Sequence, residues 1–307
     1  MTDKRRNASN EAENHPKLQL NRRRLLKLMG AAGVTAVVTP YLPSLLGKNA
    51  TLEAEGHVSK KRLRRWVMVI DLRKCDGCVS IGKAPQCTEA CIQQRSVPEG
   101  MQFIEVYQYE LAGGGTQFIP MPCMQCQNAP CVNVCPVGAT FSTPEGVILI
   151  DQERCIGCRL CMAACPYQRR FFNWGEPVIP AQAHFAEYNV ESQIPAKRGT
   201  VMKCDFCPDR PRNGALPYCI EGCPNRAVYY GDEEEDVATN GRKVVKLSKF
   251  LSDNQAYRLK EELGTKPSVY YIPGHGQDVG RDPFDTRDLE PVTWPWSNDG
   301  ENDGSTV

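Results

Sequence analysis

Short runs of β-branched and aromatic residues alternate along the chain with loops rich in glycine and proline. Four such runs are typical of strands: WVMVIDLRKC at 66–75, GVILIDQERC at 146–155, AVYYGD at 227–232 and SVYYIP at 268–273. The segment SDNQAYRLKEELG at 252–264 instead spaces its apolar residues at helical intervals. Ser252 and Gln255 form a capping-box pattern and Gly264 is a typical stop, so the pattern predicts a helix here.

The overall composition excludes some classes of protein. The chain has 307 residues, enough to bury a core, and its formal net charge of +1 argues against nucleic-acid binding. Four histidines lie outside any ligand spacing, and we expect each to be structural or exposed: His15, His57, His184 and His275.

The sixteen cysteines form an internal repeat of four groups, with none left over. Each group opens with C-x-x-C and closes with C-x-x-x-C, and only the middle spacing varies. The groups are Cys75, Cys78, Cys87 and Cys91; Cys123, Cys126, Cys131 and Cys135; Cys155, Cys158, Cys161 and Cys165; and Cys204, Cys207, Cys219 and Cys223.

Three chemistries use such groups. A disulfide framework belongs mainly to small domains that lack a core, and a zinc site typically combines two C-x-x-C pairs. The third group, C-x2-C-x2-C-x3-C-P, matches the bacterial ferredoxin run for a 4Fe-4S cluster, in which the fourth cysteine binds a second cluster. Pro136, Pro166 and Pro224 follow the fourth cysteine of three groups, whereas the first group has Ile92 there and a longer middle spacing. The pattern favours iron–sulfur clusters over zinc and over disulfides.

The N-terminus predicts export. Arg22, Arg23 and Arg24 precede two leucines and Lys27, and a mildly apolar stretch follows. This resembles a twin-arginine signal, which exports folded proteins, so clusters would be inserted before export. Cleavage within 47–57 and an uncleaved anchor both remain open. The alternative is a basic patch before a core helix.

The two flanks of the cysteine-containing region differ in charge. Residues 274–307 hold eight acidic and two basic residues, so we expect an exposed tail, with Trp294 and Trp296 favouring contact with a partner. A basic cluster lies on the other side, at Lys60, Lys61, Arg62, Arg64 and Arg65. We expect it to be a solvated face near the membrane, with lipid headgroup contact as the alternative.

The motifs CMQCQNAPCVNVCPVGA, CIGCRLCMAACPY and KCDFC…CIEGCP, in this order, resemble the iron–sulfur electron-transfer subunits of the molybdopterin oxidoreductase family. That family includes the small subunits of dimethyl sulfoxide, polysulfide, tetrathionate and formate-type enzymes. The resemblance covers about residues 66–272. Some members replace one cysteine by tryptophan and hold a 3Fe-4S cluster, but all sixteen positions are cysteine here, so four 4Fe-4S clusters are implied.

The resemblance also implies how the cysteines pair. Each cluster would take three cysteines from one group and the last from another: Cys75, Cys78 and Cys87 with Cys223; Cys204, Cys207 and Cys219 with Cys91; Cys123, Cys126 and Cys131 with Cys165; and Cys155, Cys158 and Cys161 with Cys135. The implied fold is α+β, with two interleaved bacterial-ferredoxin-like halves, many loops and short strands. The implied organisation is a signal region at 1–57, a four-cluster domain at 58–273 and a tail at 274–307. Within that domain the inner half spans about 120–180, and the outer half about 66–100 plus 200–232.

The implied function is electron transfer without catalysis in this chain. The partners would be a molybdopterin catalytic subunit and a quinone-reactive integral membrane subunit, at the periplasmic or outer face of the cytoplasmic membrane. Two alternatives stay open: a hydrogenase-linked iron–sulfur subunit, and a zinc-organised scaffold protein. The substrate and the direction of electron flow are not determined by the sequence.

A basic residue precedes the first cysteine of three groups, at Lys74, Arg154 and Lys203, whereas Pro122 precedes the second group. A nearby cation should favour the reduced form of an anionic cluster and raise its potential. Lys203 is the best candidate because a strand-like run would restrict its side chain. The hypothesis is that Lys203→Ala lowers the potential of the cluster held by Cys204, Cys207, Cys219 and Cys91 and leaves the two central clusters nearly unchanged.

Overall fold

The largest sheet joins the beginning and the end of the cysteine-containing region. The computed structural model describes residues 64–111, 114–275 and 290–291. Strand β1 (Trp66–Asp71) pairs antiparallel with β8 (Val228–Asp232) and parallel with β11 (Val269–Ile272). Strands β9 (Val237–Thr239) and β10 (Val244–Lys246) extend the sheet to the order β10-β9-β8-β1-β11.

The segment between β1 and β8 forms smaller sheets. Strands β2 (Glu105–Glu110) and β3 (Thr116–Met121) make a hairpin, and β4 (Thr140–Ser142) and β5 (Ile148–Ile150) make another. Strand β6 (Phe171–Phe172) pairs with β7 (Val201–Met202). In the C-terminal tail, the two-residue strand β12 (Glu290–Pro291) adds to the free edge of β2. Trp294 and Trp296 lie outside the described residues.

The helices are short. They are α1 (Gln86–Arg95), α2 (Pro130–Asn133), α3 (Leu160–Ala163), α4 (Ala181–His184), α5 (Asp209–Arg212), α6 (Tyr218–Glu221) and α7 (Leu247–Asp253). Two 3-10 turns, Val79–Ile81 and Glu261–Leu263, complete the elements. The predicted α+β class with short strands and many loops is confirmed, as are the four predicted strands.

The helix predicted over 252–264 is wrong. Helix α7 ends at Asp253, and Gln255 takes a left-handed φ of 50°. Beyond it, the Tyr257 N–H donates to the Tyr271 carbonyl at 2.9 Å, and the Tyr271 N–H donates back at 2.8 Å. Pairing with β11 therefore overrides the local helical periodicity, which is a weak preference.

Strand β1 is buried on both faces, which explains its continuous apolar sequence. Trp66, Met68 and Ile70 pack into the main core, next to several of the cysteines. Val67 and Val69 face a smaller apolar cluster on the other side of the sheet. No helix in the described part of the chain has both the length and the apolar character that crossing a bilayer requires.

Candidate iron–sulfur cluster sites

Each cysteine group combines a loop with a short helix. The third cysteine always lies on the helix: Cys87 on α1, Cys131 on α2, Cys161 on α3 and Cys219 on α6. The fourth cysteine follows four residues later; Cys91 still lies on α1, whereas α2, α3 and α6 end two residues before their fourth cysteines. In these three groups a proline directly follows the fourth cysteine and prevents the helix from continuing. The first group has Ile92 instead, and α1 continues to Arg95.

The C-x-x-C loops share a backbone conformation as well as a spacing. The residue before the second cysteine has a left-handed φ in all four groups: Gly77 at 62°, Gln125 at 46°, Gly157 at 71° and Phe206 at 67°. A side chain at Gly157 is excluded, because its Cβ would lie 2.3 Å from the Gly199 carbonyl oxygen. Gln125 and Phe206 adopt this conformation at a cost of about 1–2 kcal/mol each, and both are fully buried. The repeat is therefore structural and not only compositional.

Gln125 connects three parts of the fold. Its side-chain oxygen accepts from the Ile148 N–H at 2.8 Å, and its side-chain nitrogen donates to the Cys204 carbonyl at 2.9 Å. Both contacts are long-range, so Gln125 fixes the second group against β5 and against the fourth group. The sequence contains no signal for this role.

In the outer two groups, the last cysteine of each group lies near thiols of the other group. Burial raises the pKa of Cys87 well above its usual value, and negative charge on the neighbouring sulfurs of Cys75, Cys223 and Cys78 raises it further. Burial likewise raises the pKa of Cys219, with further contributions from Cys207, Cys91 and Cys204. Cys223 thus lies near thiols of the first group, and Cys91 lies near thiols of the fourth.

The last cysteines of the inner two groups also lie near thiols of the other group. Burial raises the pKa of Cys126 to about 12, with added contributions from Cys123, Cys131 and Cys165. The pKa of Cys161 is raised by burial and then by Cys155 and Cys135.

A small apolar cavity lies at one of these inner sets. Its wall includes Cys135 together with Cys155, Cys158 and Cys161, and Ile150 and Ile156 contribute apolar surface. One cavity therefore gathers four thiols from two groups.

The four sets of thiols follow one another in space. Cys87 of the first set interacts with Cys219 of the set that contains Cys91. Cys204 of that set interacts with Cys123 of the next set. The last set, around the cavity, includes Cys158, which is exposed. The first three sets thus form a chain of neighbours that begins at Cys75, and the charge of Arg170 acts on Cys131 of the third set and on Cys161 of the last.

All sixteen cysteines lie within the described residues, and all are free thiols. The structure therefore contains no disulfide bond between these cysteines, as the disulfide alternative would require. Across residues 64–111 and 114–275, no three histidine, cysteine or carboxylate side chains are spaced to bind a single metal ion.

Lys203 is a buried cation between two of the thiol sets. Its side chain is inaccessible to solvent, and its Nζ donates to the Ile148 carbonyl and, at 2.7 Å, to the Cys204 carbonyl. Its positive charge acts on Cys204 and also on Cys131 of the second group. The sequence-based hypothesis assigned Lys203 to a single cluster, and the structure extends its reach to a second.

The other two predicted tuning residues are less enclosed. Lys74 has a side chain that is 39% exposed, and its Nζ contacts Asp71 at 2.9 Å and the Tyr229 hydroxyl at 2.9 Å. Arg154 is 68% exposed and pairs with Asp151 at 3.2 Å. Solvent and carboxylates screen both charges, so we expect weaker effects from them than from Lys203.

Arg95 is a buried cation that sequence analysis missed. It lies on the last turn of α1, forms an ion pair with Asp205 at 3.1 Å and also pairs with Asp209. Its charge lowers the pKa of Cys207, although burial raises that pKa more strongly. The only sequence signal is the absence of a proline after Cys91, which lets α1 continue for another turn.

These features fit iron–sulfur clusters. Thiolates are the ligands of such clusters, and they are present in sets of four. The Lys203 Nζ has carbonyl partners but no carboxylate within 4 Å among the described residues, so its charge is free to balance an anionic group. Soft ligands, enclosed sites and unneutralised cations together define an iron–sulfur protein built for electron transfer.

Comparison with known proteins supports this class. The 4Fe-4S dicluster domain family matches residues 115–181 and 186–233. A selenate reductase subunit from Mesobacillus selenatarsenatis is 37% identical over 68% of this chain and 72% of the relative. A putative iron-sulfur subunit of dimethyl sulfoxide reductase from Halobacterium salinarum is 37% identical over 73% of this chain and 84% of the relative. A tetrathionate reductase subunit from Salmonella typhimurium is 33% identical over 82% of this chain and 88% of the relative.

The chain therefore belongs to the family of iron–sulfur electron-transfer subunits that includes those of dimethyl sulfoxide and tetrathionate reductases. The resemblance deduced from the cysteine motifs is confirmed. His184 and His275 are exposed, as expected, whereas His15, His57 and the predicted signal lie outside the described residues.

Replacing Lys203 by methionine is expected to lower the potential of the cluster at Cys204, and to a smaller extent that of the cluster at Cys131. Methionine keeps the length of the side chain and removes its charge, which avoids the cavity that alanine would leave. A tenfold change in the ratio of reduced to oxidised cluster corresponds to about 59 mV, and we expect a shift of this order. Redox titration followed by electron paramagnetic resonance measures it. Lys74→Met is the control and should shift its own cluster less; unchanged potentials in Lys203→Met, with all clusters assembled, would contradict the prediction.

Proposed function

We propose that this chain binds four 4Fe-4S clusters and conducts electrons among them. The ligand sets are those of the resemblance, each with three cysteines of one group and the fourth cysteine of another. The observation that supports this most directly is the cavity in which Cys135 joins Cys155, Cys158 and Cys161. The neighbour order of the four sets supports a single path, with the Cys75 site and the Cys155 site at its two ends.

The proposal includes the fold of two interleaved ferredoxin-like halves. The inner half would be continuous, whereas the outer half would be assembled from both ends of the domain. The pairing of β1 with β8 and β11 supports this, because it joins segments that are more than 150 residues apart in sequence. Each cluster would then cross-link distant segments, so cluster loss should unfold the domain.

Bound clusters supply one-electron redox chemistry. The protein's own residues perform the remaining tasks. The left-handed loop residues Gln125 and Phe206 and the short helices fix the thiolates, the apolar core excludes water, and Lys203 sets the local charge. Such outer-shell groups tune metal centres because they control hydrogen bonding, charge and local dielectric.

We further propose that the electrons pass between a catalytic subunit, of the molybdopterin type, and a quinone-reactive membrane subunit. Several relatives are named as subunits of selenate, dimethyl sulfoxide and tetrathionate reductases, and another is a menaquinone reductase iron-sulfur cluster-binding subunit. The alternative partner is a hydrogenase, and the alternative class is a zinc-organised scaffold.

Affinity purification of the tagged chain from membranes under anaerobic conditions tests the partners. We expect a brown complex that contains molybdopterin and whose clusters exchange electrons with a menaquinone or menaquinol analogue. A nickel-containing partner would establish the hydrogenase alternative. A colourless, zinc-containing protein would overturn the electron-transfer proposal itself.

We also propose export by the twin-arginine route to the periplasmic side of the membrane. Arg22, Arg23 and Arg24 offer a pair of arginines in two registers, so all three must change together. Replacing all three by lysine is expected to retain the chain in the cytoplasm with its clusters assembled. Protease protection of the chain in intact spheroplasts measures this.

The matched control replaces a second arginine cluster. Arg62, Arg64 and Arg65 lie just before β1, and their replacement by lysine should leave export unchanged. Arrival of the first triple variant at the outer face would exclude the twin-arginine route.

A further inference from the structure

Arg170 is a buried guanidinium at the junction between the two inner ligand sets. It lies five residues after Cys165 and directly before β6, and it is 4% exposed. Its Nη1 donates to the Thr140 hydroxyl at 3.2 Å, and its Nη2 has no hydrogen-bond partner. Thr140 lies at the start of β4, in the hairpin between the second and third cysteine groups. Arg170 is thus enclosed by the segments that provide the inner ligands.

The neighbouring residue Arg169 shows that this arrangement is unusual. Arg169 is also buried, but Glu105 accepts from its Nη1 at 2.7 Å and the Tyr107 hydroxyl accepts from its Nη2 at 2.6 Å. Its charge is neutralised within the protein. Among the described residues, no carboxylate lies within 4 Å of the Arg170 guanidinium. A buried, unpaired cation is costly unless something compensates it.

The groups that face Arg170 are the cysteines themselves. Its charge interacts with Cys131 and Cys123 of one inner set and with Cys161 of the other. Its charge therefore acts on both inner ligand sets, and both would hold anionic clusters.

A cation in this position has a defined electrostatic effect. Reducing either cluster adds one negative charge in a poorly solvated region, where charge interactions are stronger than in water. A cation near both sites favours the reduced form of both. The unpartnered Nη2 is a hydrogen-bond donor that a cluster or its thiolates would satisfy, and hydrogen bonds to cluster sulfurs also influence the potential.

We propose that Arg170 is the shared counter-charge of the two inner clusters and sets the reduction potentials of both together. This inference rests on the proposed four-cluster function. It assigns to one residue an effect on two centres, which a residue at the periphery of a single cluster would not have.

Redox titration of Arg170→Gln and Arg170→Lys in the complete protein tests the proposal. The inner signals are first assigned with the single-ligand variants Cys126→Ser and Cys155→Ser. In Arg170→Gln the ratio of reduced to oxidised cluster at a fixed potential should fall about tenfold at both inner sites, which is about 59 mV. Arg170→Lys keeps the positive charge, so both inner clusters should keep potentials close to those of the unmodified protein. Arg154→Gln removes an exposed guanidinium beside Cys155 and should have a much smaller effect.

Each result supports or overturns the proposal. A shift confined to one inner cluster, or absent from both, overturns it. If Arg170→Gln loses the inner clusters, retention of both in Arg170→Lys supports the need for a charge, and loss from both variants overturns it. Iron and sulfide analysis of the unmodified protein distinguishes failure of the Arg170 proposal from failure of the proposed four-cluster function. A protein without four clusters would be detected there before any variant is made.

Discussion

Cys135→Ser is expected to remove the cluster held by Cys155, Cys158 and Cys161, or to convert it to a three-iron form, and to leave the cluster of its own group intact. The reason is spatial. Cys135 belongs to the second group in sequence but lines the cavity of the third. A serine hydroxyl is a poorer ligand for iron than a thiolate, because iron–sulfur clusters prefer soft ligands.

The reciprocal variant is the matched control. Cys165 belongs to the third group but interacts with Cys126 of the second, so Cys165→Ser should damage the cluster of the second group alone. Electron paramagnetic resonance of the two reduced variants, with iron analysis, distinguishes the losses. If Cys135→Ser loses the cluster of Cys123, Cys126 and Cys131 instead, each group binds its own cluster and the interleaved pairing is wrong.

Arg95→Met is expected to destabilise the protein by about 3–5 kcal/mol, the range for breaking a buried ion pair by removing one partner. Asp205 is 2% exposed and would keep a buried carboxylate without its cation, close to the ligand Cys207. For a domain of this size the change corresponds to a fall in Tm of the order of 10 °C. The midpoint of thermal loss of the visible iron–sulfur absorbance measures it under anaerobic conditions.

Two further variants isolate the cause. Arg95→Met combined with Asp205→Asn removes both charges of the pair and should recover part of the loss, because no uncompensated charge remains at that pair. Arg198→Met breaks an exposed pair with Glu176, whose side chains are 65% and 81% accessible, and should change the midpoint little. Equal losses in Arg95→Met and Arg198→Met would contradict the account.

The sequence predicted the parts of the fold that depend on local pattern. Strands β1 and β11 follow from continuous β-branched and aromatic runs, and the cysteine spacing predicted the family. The helix at 252–264 failed because Tyr257 pairs with Tyr271, a tertiary contact that no local periodicity encodes.

The charges around the ligand sets were harder to predict. Lys203 was identified from its position beside Cys204, but its burial and its reach to Cys131 depend on how β5 packs against the fourth group. Arg169 and Arg170 are adjacent and both buried, yet only Arg169 pairs with a carboxylate. Sequence reasoning cannot separate two such neighbours, because their difference arises from partners far away along the chain.

Iron and acid-labile sulfide analysis of freshly purified, anaerobic protein tests the central claim most directly. Sixteen cysteines in four interleaved sets predict about sixteen iron and sixteen sulfide per chain, four of each for every cluster. The reduced protein should show only 4Fe-4S signals. About eight iron per chain, a stoichiometric zinc content, or a 3Fe-4S signal in protein never exposed to oxidant would contradict the four-cluster account.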